Sequence, residues 1–159
     1  MTLRSVLAGA ALVAASASGA AAGGEVSVER GAYVAATSGC HDCHSGGFAE
    51  SGGHVDPATA LTGVPVGFRG PWGTTYPVNI RAYMAELSED EWVARARDMK
   101  TRPPMPWFSL NIMEESDLRS FHRYVASLGP VGEPMPDYVA PGETPQTPVI
   151  DFVPKSPTM

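Results

Sequence analysis

Only two cysteines, Cys40 and Cys43, occur in the 159 residues, so no network of disulfides can hold this chain together. A bridge between residues three positions apart closes too short a loop to stabilise a domain much. Positive charge is also scarce: 11 lysines and arginines stand against 17 acids, for a formal net charge of −6. Binding to a polyanion rests on clustered Lys and Arg that neutralise phosphates, so a nucleic-acid partner is excluded. No run reaches the ~20 strongly apolar residues of a stable membrane span. Internal repeats are missing, and no two segments read as convincing paired strands.

What is present starts with Arg4, then an unbroken small and apolar run from Val6 to Ala15, then Ser, Gly and Ala as far as Ala22. That order of charge, apolar core and small residues marks residues 1–22 as a secretory signal peptide with cleavage after Ala22, and so predicts an exported, periplasmic protein. Residues 23–130 are expected to form one domain. Residues 131–159, rich in proline and poor in apolar periodicity, read as an extended or disordered tail.

Helical signals fall in three places. Val28 to Ser38 is helix-compatible, and Gly31, Ala32, Ala35 and Ala36 leave it slim enough to pack closely on a neighbour. A second helix starts at Ser88, with Glu91 completing a capping box, presents Trp92, Ala96 and Met99 on one face, and stops before Pro103-Pro104. A third runs from about Glu114 to Leu128 with Leu118, Phe121, Val125 and Leu128 on one face, ended by Gly129 and Pro130. Between them, residues 45–81 carry so many Gly and Pro residues that a long loop is predicted. A loop of that length needs something other than secondary structure to organise it, and a bound cofactor would serve.

Cys40-His41-Asp42-Cys43-His44 has the C-x-x-C-H spacing of covalent haem attachment. Two thiols at i and i+3 lie on one side of a turn, where each can add to a vinyl group of one porphyrin, and the next residue places an imidazole under the iron. A thioredoxin-like redox pair would need a preceding strand in a βαβ setting, and a zinc site would need further clustered ligands. One haem c is therefore expected on Cys40 and Cys43, with His44 as an axial ligand.

The sixth position of the iron separates electron carriers from ligand-binding haem proteins. Met105 is the candidate, because Pro104 and Pro106 fix an extended backbone that projects one side chain with little entropy to lose. Met99 and Met113 sit at helical spacing and read as core filler. His41 is expected to be a solvated residue at the haem edge, His122 a border residue of its helix, and His54 a less favoured alternative ligand. Trp72, Tyr76 and Trp107 lie in Pro/Gly-rich stretches where a haem offers a surface to pack on, and Arg69 and Asn79 are candidate propionate contacts.

These residues resemble those of class I monohaem cytochromes c, above all the domains that accompany periplasmic alcohol, aldehyde and sugar dehydrogenases. The likeness spans about residues 28–130 and rests on Gly31-Ala32-Tyr33, Cys40 to His44, Gly73-Thr74, Asn79-Ile80, Leu87 to Trp92, Pro104-Met105-Pro106 and Asp117 to Pro130. It implies an all-α cytochrome c fold, with three to four main helices around one covalently bound haem, and a crossing of the first and last helices at Gly31 and Tyr124. It implies His44 and Met105 as axial ligands and redox proteins as partners: a dehydrogenase or other donor, and a terminal oxidase or reductase as acceptor. An electron carrier without catalysis of its own is the expected function, with a dedicated dehydrogenase or oxidase subunit as the alternative, and a haem enzyme or gas sensor with an open iron site as the remote one. The chain departs from the pattern after Asn79-Ile80, where Arg81-Ala82-Tyr83-Met84 replaces the usual Thr-Pro-Asp and Gly-rich turn.

Overall fold

A computed structural model describes residues 24–154, 156 and 157, so the expected signal peptide, residues 1–22, lies outside the described residues. Among the described residues six helices and three short strands follow in the order α1 (Val28–Thr37), α2 (Cys40–His44), β1 (Gly67–Gly70), β2 (Gly73–Thr75), α3 (Ile80–Met84), α4 (Glu89–Asp98), α5 (Trp107–Ile112), α6 (Glu115–Leu128) and β3 (Val149–Asp151).

Each long helix has a local cause. The Ser27 hydroxyl accepts from the Arg30 amide at the start of α1, and α4 opens on the expected capping box, with the Ser88 hydroxyl accepting from the Glu91 amide and the Glu91 carboxylate accepting from the Ser88 amide. α6 carries Leu118, Phe121, Tyr124 and Val125 on its buried face and ends at Gly129, which takes a φ of +70°. α1 and α6 cross at Gly31, where a Cβ would collide with the Ser120 carbonyl and come within 2.6 Å of the Tyr124 Cβ. Arg30 closes the same crossing with two hydrogen bonds to Asp117, at 2.7 and 2.9 Å. α4 lies against α6 through Trp92, whose indole donates to the Leu118 carbonyl at 2.9 Å.

The all-α expectation is overturned: the fold is mixed, with a three-stranded sheet in the order β2-β1-β3. β1 and β2 pair antiparallel around Pro71-Trp72, and β3 adds to β1 in parallel, setting Phe68 beside Ile150. Pro71 presets one corner of the turn and Gly73 takes a φ of +96°, so the residues read as breakers are the ones that make the hairpin. The predicted loop 45–81 therefore contains two strands and the start of α3, and α5 is a further helix where a loop was expected. The tail is extended. It runs back over the domain, pairing Val139 with Thr74 through reciprocal backbone hydrogen bonds before it reaches β3. No helix among the described residues is long and apolar enough to cross a membrane.

Candidate haem-attachment site

α1 ends at Thr37 with Ser38 as its cap, and Gly39, with a φ of +71°, turns the chain sharply into the five-residue helix α2. That single helical turn carries the whole Cys40–His44 motif. Both cysteines are free and half-buried. Burial pushes the Cys40 thiol up to about 11 and raises that of Cys43 as well, with Asp42 adding to the effect on each. These are protonated thiols, unlike the low-pKa thiolate of a disulfide oxidoreductase. Among the described residues no group of three His, Cys, Asp or Glu is placed to hold a metal ion.

His44 is buried, and its Nδ1 lies 2.8 Å from the Val78 carbonyl. A carbonyl only accepts, so Nδ1 carries the proton and Nε2 keeps its lone pair. Burial lowers the pKa of the ring, against a smaller opposing pull from the Val78 carbonyl, and keeps it neutral. A neutral imidazole with Nδ1–H anchored on a carbonyl and Nε2 left to bind is the arrangement a metal-ligating histidine adopts. The chain around it is fixed in turn. The Gly63 amide donates to the His44 carbonyl at 2.8 Å, and Asn79, next to Val78, caps α3 by accepting from the Ala82 amide at 3.0 Å.

His41 corrects an expectation, being 1% exposed rather than solvated. Its ring lies 5.2 Å from Phe48 and edge-on to Tyr124 of α6 at 6.3 Å, and its Nδ1 is 2.8 Å from the Ser45 hydroxyl, which also accepts from the Leu61 amide. Its Nε2 is the one buried side-chain polar atom among the described residues with no hydrogen-bond partner. His41 and His44 thus face different parts of the protein, His41 bracing α2 against the crossing of α1 and α6.

Comparison with known protein families, curated proteins and solved structures finds no match to this chain.

Met105 lies between α4 and α5, partly buried and packed against the same apolar core that Cys40 touches. Its carbonyl accepts from the Trp107 amide at 2.9 Å, which turns the chain into α5, and Thr75 of β2 donates its hydroxyl to the Pro103 carbonyl at 2.7 Å. The peptide bond joining Pro103 and Pro104 is cis.

The expected peripheral contacts are engaged within the protein. The Arg69 guanidinium makes two hydrogen bonds to Asp151 of β3, at 2.6 and 2.9 Å. The Trp72 indole donates to the Phe68 carbonyl at 3.3 Å and its ring sits 6.1 Å from Phe152. The Tyr76 hydroxyl accepts from Thr147, and the Asn79 amide donates to the Val131 and Glu133 carbonyls at 2.8 and 3.3 Å. Trp107 is half-buried, edge-on to Phe108. Four of these five residues tie the tail or the sheet together.

Two residues that hold the site escaped the sequence reading. Val78 acts through its backbone, which has no residue signature. Ser45, directly after the motif, was a legible hydroxyl in a place where a buried histidine would need one. Arg81, which marks the departure from the family pattern, is buried and donates to the Pro57 carbonyl at 2.9 Å and to those of Leu128 and Gly129, locking α3 to the end of α6.

Proposed function

We propose that this chain is an exported electron-transfer protein carrying one haem c, bound covalently through Cys40 and Cys43 and ligated by His44 and Met105. The observation that carries the reading is the hydrogen bond from His44 Nδ1 to the Val78 carbonyl, because it orients a neutral imidazole with Nε2 free for iron. Cys40 and Cys43 would hold the group by adding S–H across one vinyl group each, an S–C bond replacing S–H with the hydrogen going to the neighbouring carbon, so that no external oxidant or reductant would be needed. When bound, the group supplies one-electron cycling between Fe(III) and Fe(II), with no bond chemistry on a substrate.

The protein's own part is to hold and to exclude. His44 stays in one tautomer and one orientation, while the proline-flanked Met105 offers a neutral thioether. A His/Met pair favours a higher reduction potential than two histidines, and an apolar surrounding that excludes water raises it further. A clefted surface is not required to retain the group. Two clefts among the described residues, of about 210 and 410 Å³, are lined by α3, α4, α6 and tail residues and not by Cys40, Cys43, His44 or Met105. Covalent attachment is what would retain it. Redox proteins of the periplasm are the partners this reading requires, a dehydrogenase or similar donor on one side and an oxidase or reductase on the other.

Expression with its N-terminal segment in a host that matures c-type cytochromes tests the proposal. The denatured protein is expected to keep a mass increment of one haem, Cys40→Ala and Cys43→Ala to lower it, and Met105→Ala to abolish the weak near-infrared sulfur-to-iron band. A wild-type product free of covalent haem would overturn the reading.

A further inference from the structure

Tyr138 and Arg102 sit far apart in the chain, yet the Arg102 guanidinium lies 3.7 Å from the centroid of the Tyr138 ring. Arg102 immediately precedes Pro103-Pro104-Met105, so this contact pins the segment that carries the candidate sixth ligand. Tyr138 is itself held at both ends. Its hydroxyl donates to the Trp72 carbonyl at 2.8 Å, and the next residue, Val139, exchanges backbone hydrogen bonds of 2.8 and 3.0 Å with Thr74. The ring also fits against Gly73, where a Cβ would come within 2.9 Å of it. A second anchor reaches the same segment from the same hairpin, the Thr75 hydroxyl on the Pro103 carbonyl.

We propose that the C-terminal strap is the outer half of a clamp on the axial methionine: Tyr138 and Arg102 are positioning residues that hold Met105 at the iron. The proposal rests on the haem reading above. A thioether is a neutral and weak ligand, so its occupancy depends on how rarely the segment swings away. The prolines restrict the segment from within. The strap restricts it from outside, through a cation–π contact whose aromatic partner cannot drift because the hairpin fixes it. The apparent affinity of any competitor for the iron scales with the fraction of molecules in which Met105 is detached, so loosening the clamp tightens competitor binding by the same factor.

The experiment is an imidazole titration of the full-length ferric holoprotein, followed by loss of the sulfur-to-iron band. Tyr138→Ala and Arg102→Ala are each expected to tighten imidazole binding roughly three- to tenfold, the scale of one cation–π contact. Tyr138→Phe keeps the ring and should stay within about twofold of wild type. Exchange of the Trp107 amide, which bonds to the Met105 carbonyl, should quicken in the two alanine variants and not in Tyr138→Phe. If Tyr138→Ala fails to fold, Arg102→Ala at its exposed position carries the same measurement. Wild-type imidazole affinity in the alanine variants would overturn the clamp and leave the haem reading standing. A wild-type holoprotein with haem but no sulfur-to-iron band would remove Met105 from the iron and the clamp with it, while a wild-type protein without haem would overturn both.

Discussion

At Gly31 a single missing methyl group decides how closely two helices can cross. In an isolated helix Gly→Ala is favourable by about 1 kcal/mol. Here the added Cβ would collide with the Ser120 carbonyl, a backbone atom that cannot rotate aside, and press on the Tyr124 Cβ at 2.6 Å. Overpacking of this kind costs about 1–3 kcal/mol, more where backbone must shift, so the steric loss outweighs the propensity gain. Gly31→Ala is expected to destabilise the protein by about 2 kcal/mol, measured as a lower urea midpoint at unchanged slope. A midpoint at or above wild type would contradict the crossing. The damage would reach the site, since Tyr124 also meets the edge of His41 and His41 braces the helix that carries both cysteines. At this scale the sequence shows residue types at fixed spacing, as in Cys40, Cys43 and His44, which one short helix brings together. It does not show where a backbone atom does the work, as in Val78, or where the partner lies far away, as for Arg69, whose carboxylate is 82 positions distant.

The elements divide by what stabilises them. α1 and α4 carry their own N-terminal caps, and α6 has acidic residues in its first turn and a long apolar face, which is why the sequence marks their starts to within a residue or two. β1, β2, β3, α3 and α5 are three to six residues long, too short for a period to register, and they owe their existence to partners elsewhere in the chain. Asn79 is the clearest case. Its carbonyl oxygen caps α3 while its amide group holds the tail, and a reading of the local residues has no means of seeing the second bond. Beside the Trp92 contact, ion pairs join α4 to α6. Glu89 accepts from Arg123 at 2.9 Å and from Arg119 at 3.1 Å, and these bonds, Arg123 first, hold its carboxyl below the ordinary range despite partial desolvation. Because the folded-state value is depressed, the stabilisation is present above the unfolded value, about 4.5, and is lost as pH falls through the folded one. Glu89→Gln is therefore expected to lower stability by about 1 kcal/mol at pH 7, with the deficit shrinking toward pH 3. Thermal melts of both proteins at pH 7, 5 and 3 check this. A deficit constant across that range would mean the carboxylate charge is not what joins the helices.

For the molecule as a whole, the sheet and strap complete a domain that the three long helices leave open. The tail closes over the hairpin through Tyr138, Val139 and the pairing of β3 with β1, and Phe152 packs 5.7 Å from Phe68. The hairpin thereby becomes a platform from which the Met105 segment is held. Phe108 and Ile112 of α5, three and seven residues beyond Met105, stay 59% and 82% exposed, so the chain next to the Met105 segment offers apolar surface for a brief encounter. The long-range field is set by the formal charge of −6. Such a field attracts cationic reaction partners and repels anionic ones, and salt removes the difference as the Debye length contracts from about 30 Å at 0.01 M to about 10 Å at 0.1 M. If electrons leave this protein through an acidic surface, oxidation of the reduced holoprotein by a small cationic metal complex should slow roughly three- to tenfold across that range. Oxidation by an anionic complex of similar potential should accelerate over the same interval. Stopped-flow rates at both ionic strengths decide it. Opposite slopes would place the exit within the acidic field, whereas two flat lines would place it on a patch that the net charge does not govern, with the apolar residues of α5 then setting the encounter.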